Sequence, residues 1–558
     1  MSTLLTLHDP QVARRYYEAG WWRDETLYAL AREHACARPG AYAARDSRRR
    51  LTWSQLVQWA DRLAANLHAG GLKRGQRVSV WLPNRVEALV VFLACSRNGY
   101  VCNPSLHQNY TVSDIVTLLQ RIQTAAVFAQ PGYGADAQRS DIFAAAASVP
   151  SMKRIYRIDG ASGAAGNAMA FPSLDEPVDD VLLPPADSNP DKIVYLAFTS
   201  GTTGLPKGVM HSDNTLLANG RAMVHDWHHD DKTVLFTHSP LSHHIGTVAI
   251  EQSLVAGCEL VVNDLPAGMR PFDWIVETGA TYVMGVPTHA IDILADLRKR
   301  GLRGLGKVSI FYMAGSTIPP ETAKAFLEMG IKPQNIYGMT ENGSHQYTLP
   351  DDEVEVITST CGRACAGYET RLWSAENPDV EAEPGAIGEI GTRGALLTLG
   401  YFDNQQASES AFNAAGWFMS GDLGRLDERG NLRIVGRKKD LIIRGGHNIH
   451  PANIENLALR HPAVMKAAAY PVADARLGER VCLAVIARDG VAIDEMEVLA
   501  HLHAAGLSKY DMPEYFLCLD AFPLTASGKI LKRELIEWTK SGKVRPTPVR
   551  WSEKASEQ

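Results

Sequence analysis

The sequence lacks any long apolar run. No stretch of about 18 apolar residues, the length needed to cross a bilayer, occurs in the chain. The first residues are interrupted by His8, Asp9 and Pro10, so the extended apolar core of a secretion signal is missing as well. The sequence therefore predicts a protein without a membrane span that is located in the cytoplasm.

An excess of positive charge and a pattern of paired cysteines are also missing. The 56 basic residues are outnumbered by 62 acidic residues, which predicts no broad surface for nucleic acid. The eight cysteines are scattered, so a disulfide framework is not expected. Cys361 and Cys365 lie four residues apart, but no second Cys or His pair with zinc spacing accompanies them.

Helical and extended segments alternate along most of the chain. A segment with helical spacing at 53–68 is followed by a strand-like segment at 77–82 and a second helical segment at 86–97. This alternation continues to about residue 314 and predicts α/β layers with largely parallel sheets. After Gly385 the pattern changes to short strands and turns, which predicts a smaller antiparallel or barrel-like part.

A basic, polar run marks a predicted domain boundary. The run Gly-Arg-Lys-Lys-Asp at 436–440 precedes a fresh apolar strand. We therefore expect a large N-terminal domain of layered α/β sheets at 1–440 and a small α+β domain at 441–558.

A loop rich in glycine and threonine follows the apolar segment 193–198. Residues 199–208 read Thr-Ser-Gly-Thr-Thr-Gly-Leu-Pro-Lys-Gly. Glycine lets backbone N–H groups approach an anion closely, so the loop suits phosphate. It is not the P-loop of nucleoside triphosphatases, because Lys207 is followed by Gly208 and its spacing from Gly201 is wrong.

This loop resembles the signature loop of the adenylate-forming enzymes, which include acyl-CoA synthetases, firefly-type luciferases and the adenylation domains of peptide synthetases. Further segments match that family in the same order, namely Pro-Leu-Ser-His-His-Ile-Gly at 240–246, Tyr-Gly-Met-Thr-Glu at 337–341, Ser-Gly-Asp at 420–422, Gly-Arg-Lys-Lys-Asp at 436–440 and Pro-Leu-Thr-Ala-Ser-Gly-Lys at 523–529. The resemblance spans roughly residues 25 to 540 and is greatest to short-chain, medium-chain or alicyclic acyl-CoA ligases such as cyclohexanecarboxylate–CoA ligases.

The resemblance implies a reaction in two steps with ATP, Mg²⁺ and CoA. A carboxylate attacks the α-phosphate of ATP, and the resulting acyl adenylate passes its acyl group to CoA. Because the first step brings two anions together, catalysis consists mostly of charge neutralisation and positioning. The implied nucleotide- and CoA-binding residues are Thr199, Ser200, Gly201, Thr202, Thr203, Gly204, Lys207, Gly315, Ser316, Tyr337, Gly338, Met339, Asp422, Arg437, Arg444, Gly445 and Gly446.

Individual roles follow from the resemblance. Glu341 and Thr202 are expected to bind Mg²⁺, and Thr340 is expected to hydrogen-bond the α-phosphate. Lys529 is expected to neutralise charge during adenylation, and His243 borders the acyl pocket as a further catalytic residue.

Three residues complete the nucleotide site that the resemblance implies. Asp422, supported by Arg437, is expected to accept hydrogen bonds from both ribose hydroxyls, because a carboxylate has two acceptor oxygens. Tyr337 is expected to stack on adenine.

For the second step, the resemblance implies that the C-terminal domain swings about Asp440. Arg444 and the glycine pair Gly445 and Gly446 then replace Lys529 at the active site and line the path of the pantetheine arm. Lys529 also lies in a Pro-x-x-x-x-Gly-Lys spacing. This spacing suggests acetylation by a protein lysine acetyltransferase and reversal by a deacetylase, which would control the charge that adenylation needs.

The residues of the predicted acyl pocket are mostly small or apolar, and none is an obvious cation for a second carboxylate, which favours an uncharged ring or a short to medium alkyl chain. The stretch at 236–239 has no aspartate to hold the ammonium group of an amino acid, which argues against amino acids. The candidate pocket residues are His243, His244, Gly246, Val286, Pro287, Ala314, Gly338 and Met339.

Two alternatives remain open. An enzyme of the same fold could transfer its acyl group to a carrier protein instead of CoA. A protein of another class, a non-catalytic nucleotide-binding relative, would be expected to have lost Lys529, Glu341 or Asp422, yet all three are present.

Overall fold

The computed structural model describes residues 4–158, 168–175, 183–199, 206–315, 318–488, 490–525 and 529–551. The sheets and helices below are those of these residues, with strands and helices numbered in chain order. The predicted mixed α/β class is confirmed, because parallel strands joined by helices build the two largest sheets.

The first large sheet has seven described strands in the order β7-β6-β5-β3-β4-β8-β9. Its strands are parallel except for the β8–β9 pair, which is an antiparallel hairpin. Their bounds are β3 Arg77–Trp81, β4 Val101–Asn103, β5 Thr124–Ala129, β6 Arg154–Arg157, β7 Met169–Ala170, β8 Ile193–Thr199 and β9 Lys207–Ser212.

The second large sheet has nine described strands in the order β16-β15-β14-β13-β12-β10-β11-β1-β2. The six strands from β14 to β1 in this order are parallel to one another. Antiparallel strands lie at both edges, β15 and β16 at one and β2 at the other. Their bounds are β1 Tyr42–Arg45, β2 Arg50–Thr52, β10 Val234–Thr237, β11 Glu259–Val262, β12 Tyr282–Gly285, β13 Ile310–Met313, β14 Lys332–Met339, β15 Gly343–Tyr347 and β16 Arg363–Ala364.

Two smaller sheets follow in the chain. The four described strands of the third sheet form an antiparallel meander, β17 Tyr368–Trp373, β18 Gly388–Gly394, β19 Phe418–Leu426 and β20 Leu432–Arg437. The fourth sheet is built from β21 Ile442–Arg444, β22 His447–Ile449, β23 Val464–Asp474, β24 Gly478–Ala487, β25 Tyr515–Cys518 and β26 Thr547–Pro548. All strands of this last sheet come after the basic run, and their apolar side chains form clusters of their own.

The helices cover the sheets and connect their strands. Their bounds are α1 Pro10–Glu18, α2 Leu27–Ala37, α3 Trp53–Ala69, α4 Val86–Asn98, α5 Val112–Arg121, α6 Ile142–Ala146, α7 Asp213–Asp226, α8 His244–Ala256, α9 Pro271–Thr278, α10 Pro287–Arg300, α11 Pro320–Glu328, α12 Val354–Ser359, α13 Gln405–Glu409, α14 Pro451–Ala458, α15 Glu495–Ala504 and α16 Lys532–Lys540. In the part of the chain described here, none of them is long and apolar enough to cross a membrane.

Helix α8 is the element that matters most for the site. It begins after His243, which caps its N-terminus, and ends at Gly257, whose positive φ of +66° suits a residue without a Cβ. Every side chain from His244 to Leu254 is buried, since the helix packs on α7 and on strands of the nine-stranded sheet. A helix that is buried all round carries its polar side chains into the interior.

Candidate active site

The predicted phosphate loop is held at both ends by the β8–β9 hairpin. Thr199 ends β8 and pairs with Lys207, the first residue of β9. The ammonium group of Lys207 lies 4.6 Å from the ring centroid of Tyr401, a cation–π contact. Ser200, Gly201, Thr202, Thr203, Gly204 and also Ser316 lie outside the described residues.

Glu341 lies in the turn between β14 and β15 and is 8% exposed. The Tyr401 hydroxyl donates a hydrogen bond to Glu341 Oε1 at 2.9 Å. Burial raises the pKa of Glu341, while this hydrogen bond and the charge of Lys207 lower it. Tyr401 therefore joins the predicted phosphate lysine to the predicted metal ligand, a link that sequence analysis missed.

The neighbouring Thr340 is fixed through its backbone. The carbonyl of Thr340 accepts a hydrogen bond from His211 Nε2 at 2.7 Å, while His211 Nδ1 lies 3.0 Å from the Thr215 hydroxyl. Burial lowers the pKa of His211 to about 4, so this histidine is a neutral structural link at pH 7.

Asp422 and Arg437 face each other across the β19–β20 ladder, where they are register partners. Arg437 Nε lies 3.1 Å from Asp422 Oδ1, and the Tyr337 hydroxyl donates to Oδ2 at 2.9 Å. Burial raises the pKa of Asp422, and Arg437 and Tyr337 lower it. The three residues predicted to bind ribose and adenine thus form one hydrogen-bonded group.

Lys529 reaches this group from the C-terminal sequence. Its Cε lies 3.3 Å from the position that a Cβ on Gly315 would occupy, and Gly315 has a positive φ of +93°. The pKa of Lys529 is lowered to about 8, mainly by burial and next by the charge of Arg437, while the charges of Asp422 and Glu341 act in the opposite direction. The structure therefore brings the predicted catalytic lysine together with both predicted carboxylates.

His243 lies beside this cation as a neutral side chain. The backbone N–H of Ile245 donates to His243 Nδ1 at 3.3 Å, which caps α8. The pKa of His243 is lowered to about 3, mainly by burial and next by the charge of Lys529. His243 is therefore uncharged at neutral pH and adds no second cation beside Lys529.

Apolar side chains meet Lys529 at Gly315. Measured from the same Cβ position on Gly315, Val286 Cγ1 lies at 3.4 Å and Ile245 Cδ1 at 3.9 Å. Ala314 is buried at the end of β13, and Pro287 is the first residue of α10. Sequence analysis missed Ile245, although it directly follows the two histidines.

Other predicted pocket residues have close structural contacts. A Cβ on Gly246 would lie 2.5 Å from the Pro240 carbonyl oxygen, and one on Gly338 would overlap the Gly343 carbonyl. Both glycines thus permit close backbone packing. His244 Nδ1 lies 3.2 Å from the Tyr195 hydroxyl. The backbone N–H of Met339 donates a hydrogen bond to Asn342 Oδ1 at 2.9 Å.

The residues predicted for the second step lie in a separate hairpin. Gly445 and Gly446, with φ of +57° and +87°, form the two-residue turn between β21 and β22. Arg444 makes a bidentate ion pair with Glu514, at 2.8 and 2.9 Å. Asp440 ends the 3₁₀ helix Lys438–Asp440 that follows β20. The cation that the C-terminal part of the chain places beside Gly315 is thus Lys529 and not Arg444.

Two family models match the sequence. The model of the AMP-binding enzyme covers residues 31–402, and that of the AMP-binding enzyme C-terminal domain covers residues 453–529. The chain belongs to the AMP-binding enzyme family. The predicted resemblance to adenylate-forming enzymes is thereby confirmed.

Individual relatives extend over almost the whole chain. A medium-chain fatty-acid–CoA ligase of Escherichia coli K12 is 30% identical over 537 residues, covering 95% of this chain and 93% of the relative. A salicylyl-CoA synthase / salicylate adenylyltransferase of a Streptomyces species is 32% identical over 539 residues, with coverage of 94% and 96%. The crystal structure of ATP-bound MatB from Rhodopseudomonas palustris superposes with a TM-score of 0.80 at 28% identity, covering 93% of this chain and all of that one.

The charges around Lys529 predict how its amine titrates. Trace labelling of amines with acetic anhydride, read by mass spectrometry, should give a midpoint near pH 8 for Lys529, against about 10.4 for an ordinary lysine. Arg437→Gln removes a cation and should raise the midpoint, and Asp422→Asn removes an anion and should lower it. A midpoint that neither substitution moves would contradict this placement of Lys529.

Proposed function

We propose that this enzyme activates an uncharged carboxylic acid as an acyl adenylate and then transfers the acyl group to CoA. An AMP-forming acid–thiol ligase is the enzyme class of its family, with ATP, Mg²⁺ and CoA as cofactors. The observation that carries the proposal is the convergence of Lys529 with Asp422 and Glu341 beside Gly315. Adenylation needs a cation between two reacting anions, and this is where the chain provides one.

In the first step, each charged group has a separate task. Asp422 accepts the ribose hydroxyls, and the charge of Arg437 favours the ionised form of its carboxyl group. Lys207, with Thr199 and the loop that follows it, holds the β- and γ-phosphates. Lys529 neutralises charge between the incoming carboxylate and the α-phosphate, to which Thr340 donates a hydrogen bond.

Glu341 fits the expected magnesium site. It is a buried carboxylate beside Lys207, and Tyr401 occupies one of its oxygens. In the described ranges, no group of three or more His, Cys, Asp or Glu side chains could hold a metal ion. Mg²⁺ is commonly bound through one or two carboxylates plus substrate phosphates, and we propose Glu341 as such a carboxylate, with the Thr202 hydroxyl as a further ligand. When bound, the ion would offset phosphate charge.

For the acid, we propose a ring or a short to medium chain, with cyclohexanecarboxylate as the specific candidate. Ile245, Val286 and Ala314 offer an apolar wall beside Lys529, and His243 is neutral there. The two relatives described above are named for a medium-chain fatty acid and for salicylate. One name fits a chain and the other fits a ring, which supports both proposed classes of acid.

For the second step, we propose two domains, 1–440 and 441–558, that change their relative position at Asp440. Arg444 and the Gly445–Gly446 turn then take the place of Lys529 and admit the pantetheine arm of CoA. The hairpin turn supports this role, since two glycines with positive φ expose backbone without side chains.

The proposal predicts the outcome of an acid panel. Pyrophosphate release with ATP and Mg²⁺ should depend on CoA and be greatest for one structural group among fatty acids, benzoates and cyclohexanecarboxylate. Amino acids should be inactive, because the pocket lacks an aspartate for their ammonium group. Pyrophosphate release that needs a carrier protein instead of CoA would favour the alternative acceptor, and no release with any acid would contradict the proposal.

Separate substitutions should separate the two steps. Lys529→Met removes the adenylation cation, so adenylate formation should fall by at least about 100-fold while thioester formation from synthetic acyl adenylate continues. Gly446→Leu fills the predicted pantetheine path, so thioester formation should fall while adenylate formation continues. Rapid-quench measurement of each half-reaction checks both variants, and equal losses in both steps would contradict the exchange.

We also propose that acetylation of Lys529 switches adenylation off, since it removes the charge from the amine. Acetylation by a protein lysine acetyltransferase, confirmed at Lys529 by mass spectrometry, should abolish adenylate formation, and a deacetylase should restore it. Full activity of protein that is acetylated at Lys529 would contradict this regulation.

A further inference from the structure

Two polar side chains in the interior of the N-terminal part of the chain lack complete hydrogen bonding. Glu251 on α8 and Gln334 on β14 are both 0% exposed. Among the described residues, neither carboxylate oxygen of Glu251 has a hydrogen-bond partner, and neither does Gln334 Nε2. Buried polar groups are normally paired, so these groups call for a missing donor and a missing acceptor.

Tyrosine side chains lie near the two residues. Gln334 is the register partner of Tyr312 across the β13–β14 ladder, and the Tyr282 hydroxyl donates to Gln334 Oε1 at 2.7 Å. Burial raises the pKa of Tyr312, and the nearby Glu251 carboxyl adds to this shift. We call this group the polar floor; it consists of Glu251, Tyr282, Tyr312, Gln334 and Ser344, whose hydroxyl lies 2.8 Å from that of Tyr312.

Strand β13 and helix α8 both lead from the residues beside Lys529 to the polar floor. Tyr312 precedes Gly315 by three residues, which is about 10 Å along a strand. Glu251 follows Ile245 by six residues, which is about 9 Å along a helix. Gly315 and Ile245 both lie at Lys529, so β13 and α8 lead to a similar depth.

Substrate chemistry can satisfy both unpaired groups at once. A hydroxyl group has one proton to donate and lone pairs that accept, so it can donate to Glu251 and accept from Gln334 Nε2. An apolar alkyl end would leave both groups buried and unpaired. We infer that the acyl pocket extends to the polar floor, and that Glu251 is a specificity-determining residue there that selects ring acids with a hydroxyl at the end remote from the carboxylate. This inference rests on the proposed function.

The test compares matched acids that differ by one hydroxyl. For cyclohexanecarboxylate against its trans-4-hydroxy derivative, and for benzoate against 4-hydroxybenzoate, kcat/KM of CoA-dependent pyrophosphate release is measured. The wild-type enzyme should prefer the hydroxylated acid by at least about tenfold, because a site built to bond a hydroxyl discriminates against its absence. Glu251→Met should abolish that preference and increase kcat/KM for the unsubstituted acid.

Two further variants keep the result interpretable. Glu251→Gln preserves shape and one acceptor, so part of the preference should remain. Glu277→Met changes a half-exposed glutamate on α9 and should leave the preference unchanged. Equal or better use of the unsubstituted acids by wild-type enzyme overturns the inference and leaves the proposed function intact. So does a Glu251→Met variant that retains the preference. No turnover with any acid overturns the proposed function and the inference with it.

Discussion

Charge compensation inside a buried site is the constraint on which the rest of this structure depends. Asp422 and Glu341 are 7% and 8% exposed, and burial raises the pKa of both carboxylates. The charge of Arg437 compensates Asp422, and the charge of Lys207 compensates Glu341. Lys529 interacts electrostatically with both carboxyl groups. An uncompensated charge at this depth would be costly, so the ionised form of each carboxyl group depends on its cationic partner.

The fold brings these charges together because the relevant strands end at the same place. Gly315 follows β13, Glu341 follows β14, and both strands belong to one run of parallel neighbours. Carboxyl ends of parallel strands share an edge, which is where open α/β sheets bind ligands. The antiparallel β19–β20 ladder adds Asp422 and Arg437 as a pair. The C-terminal sequence contributes Lys529, so the site is complete only when both parts of the chain meet.

Local motifs could be predicted from the sequence, and long-range contacts could not. The run Tyr-Gly-Met-Thr-Glu and the lysine motif were sufficient to predict Glu341 and Lys529 as site residues, and helix and strand periodicity was sufficient for the α/β class. Tyr401 gave no signal, since it lies 60 residues from Glu341 and is an ordinary aromatic in sequence. Glu251 gave none either, because a single glutamate in a helix is usually a solvated residue.

The most direct test of this account is a crystal structure of the protein with ATP and Mg²⁺. The account predicts that both ribose hydroxyls hydrogen-bond to Asp422, that the phosphates lie beside Lys207, and that the Lys529 amine contacts the α-phosphate. A nucleotide bound away from Asp422, or a Lys529 amine directed away from the α-phosphate while the C-terminal sequence lies as described, would contradict it.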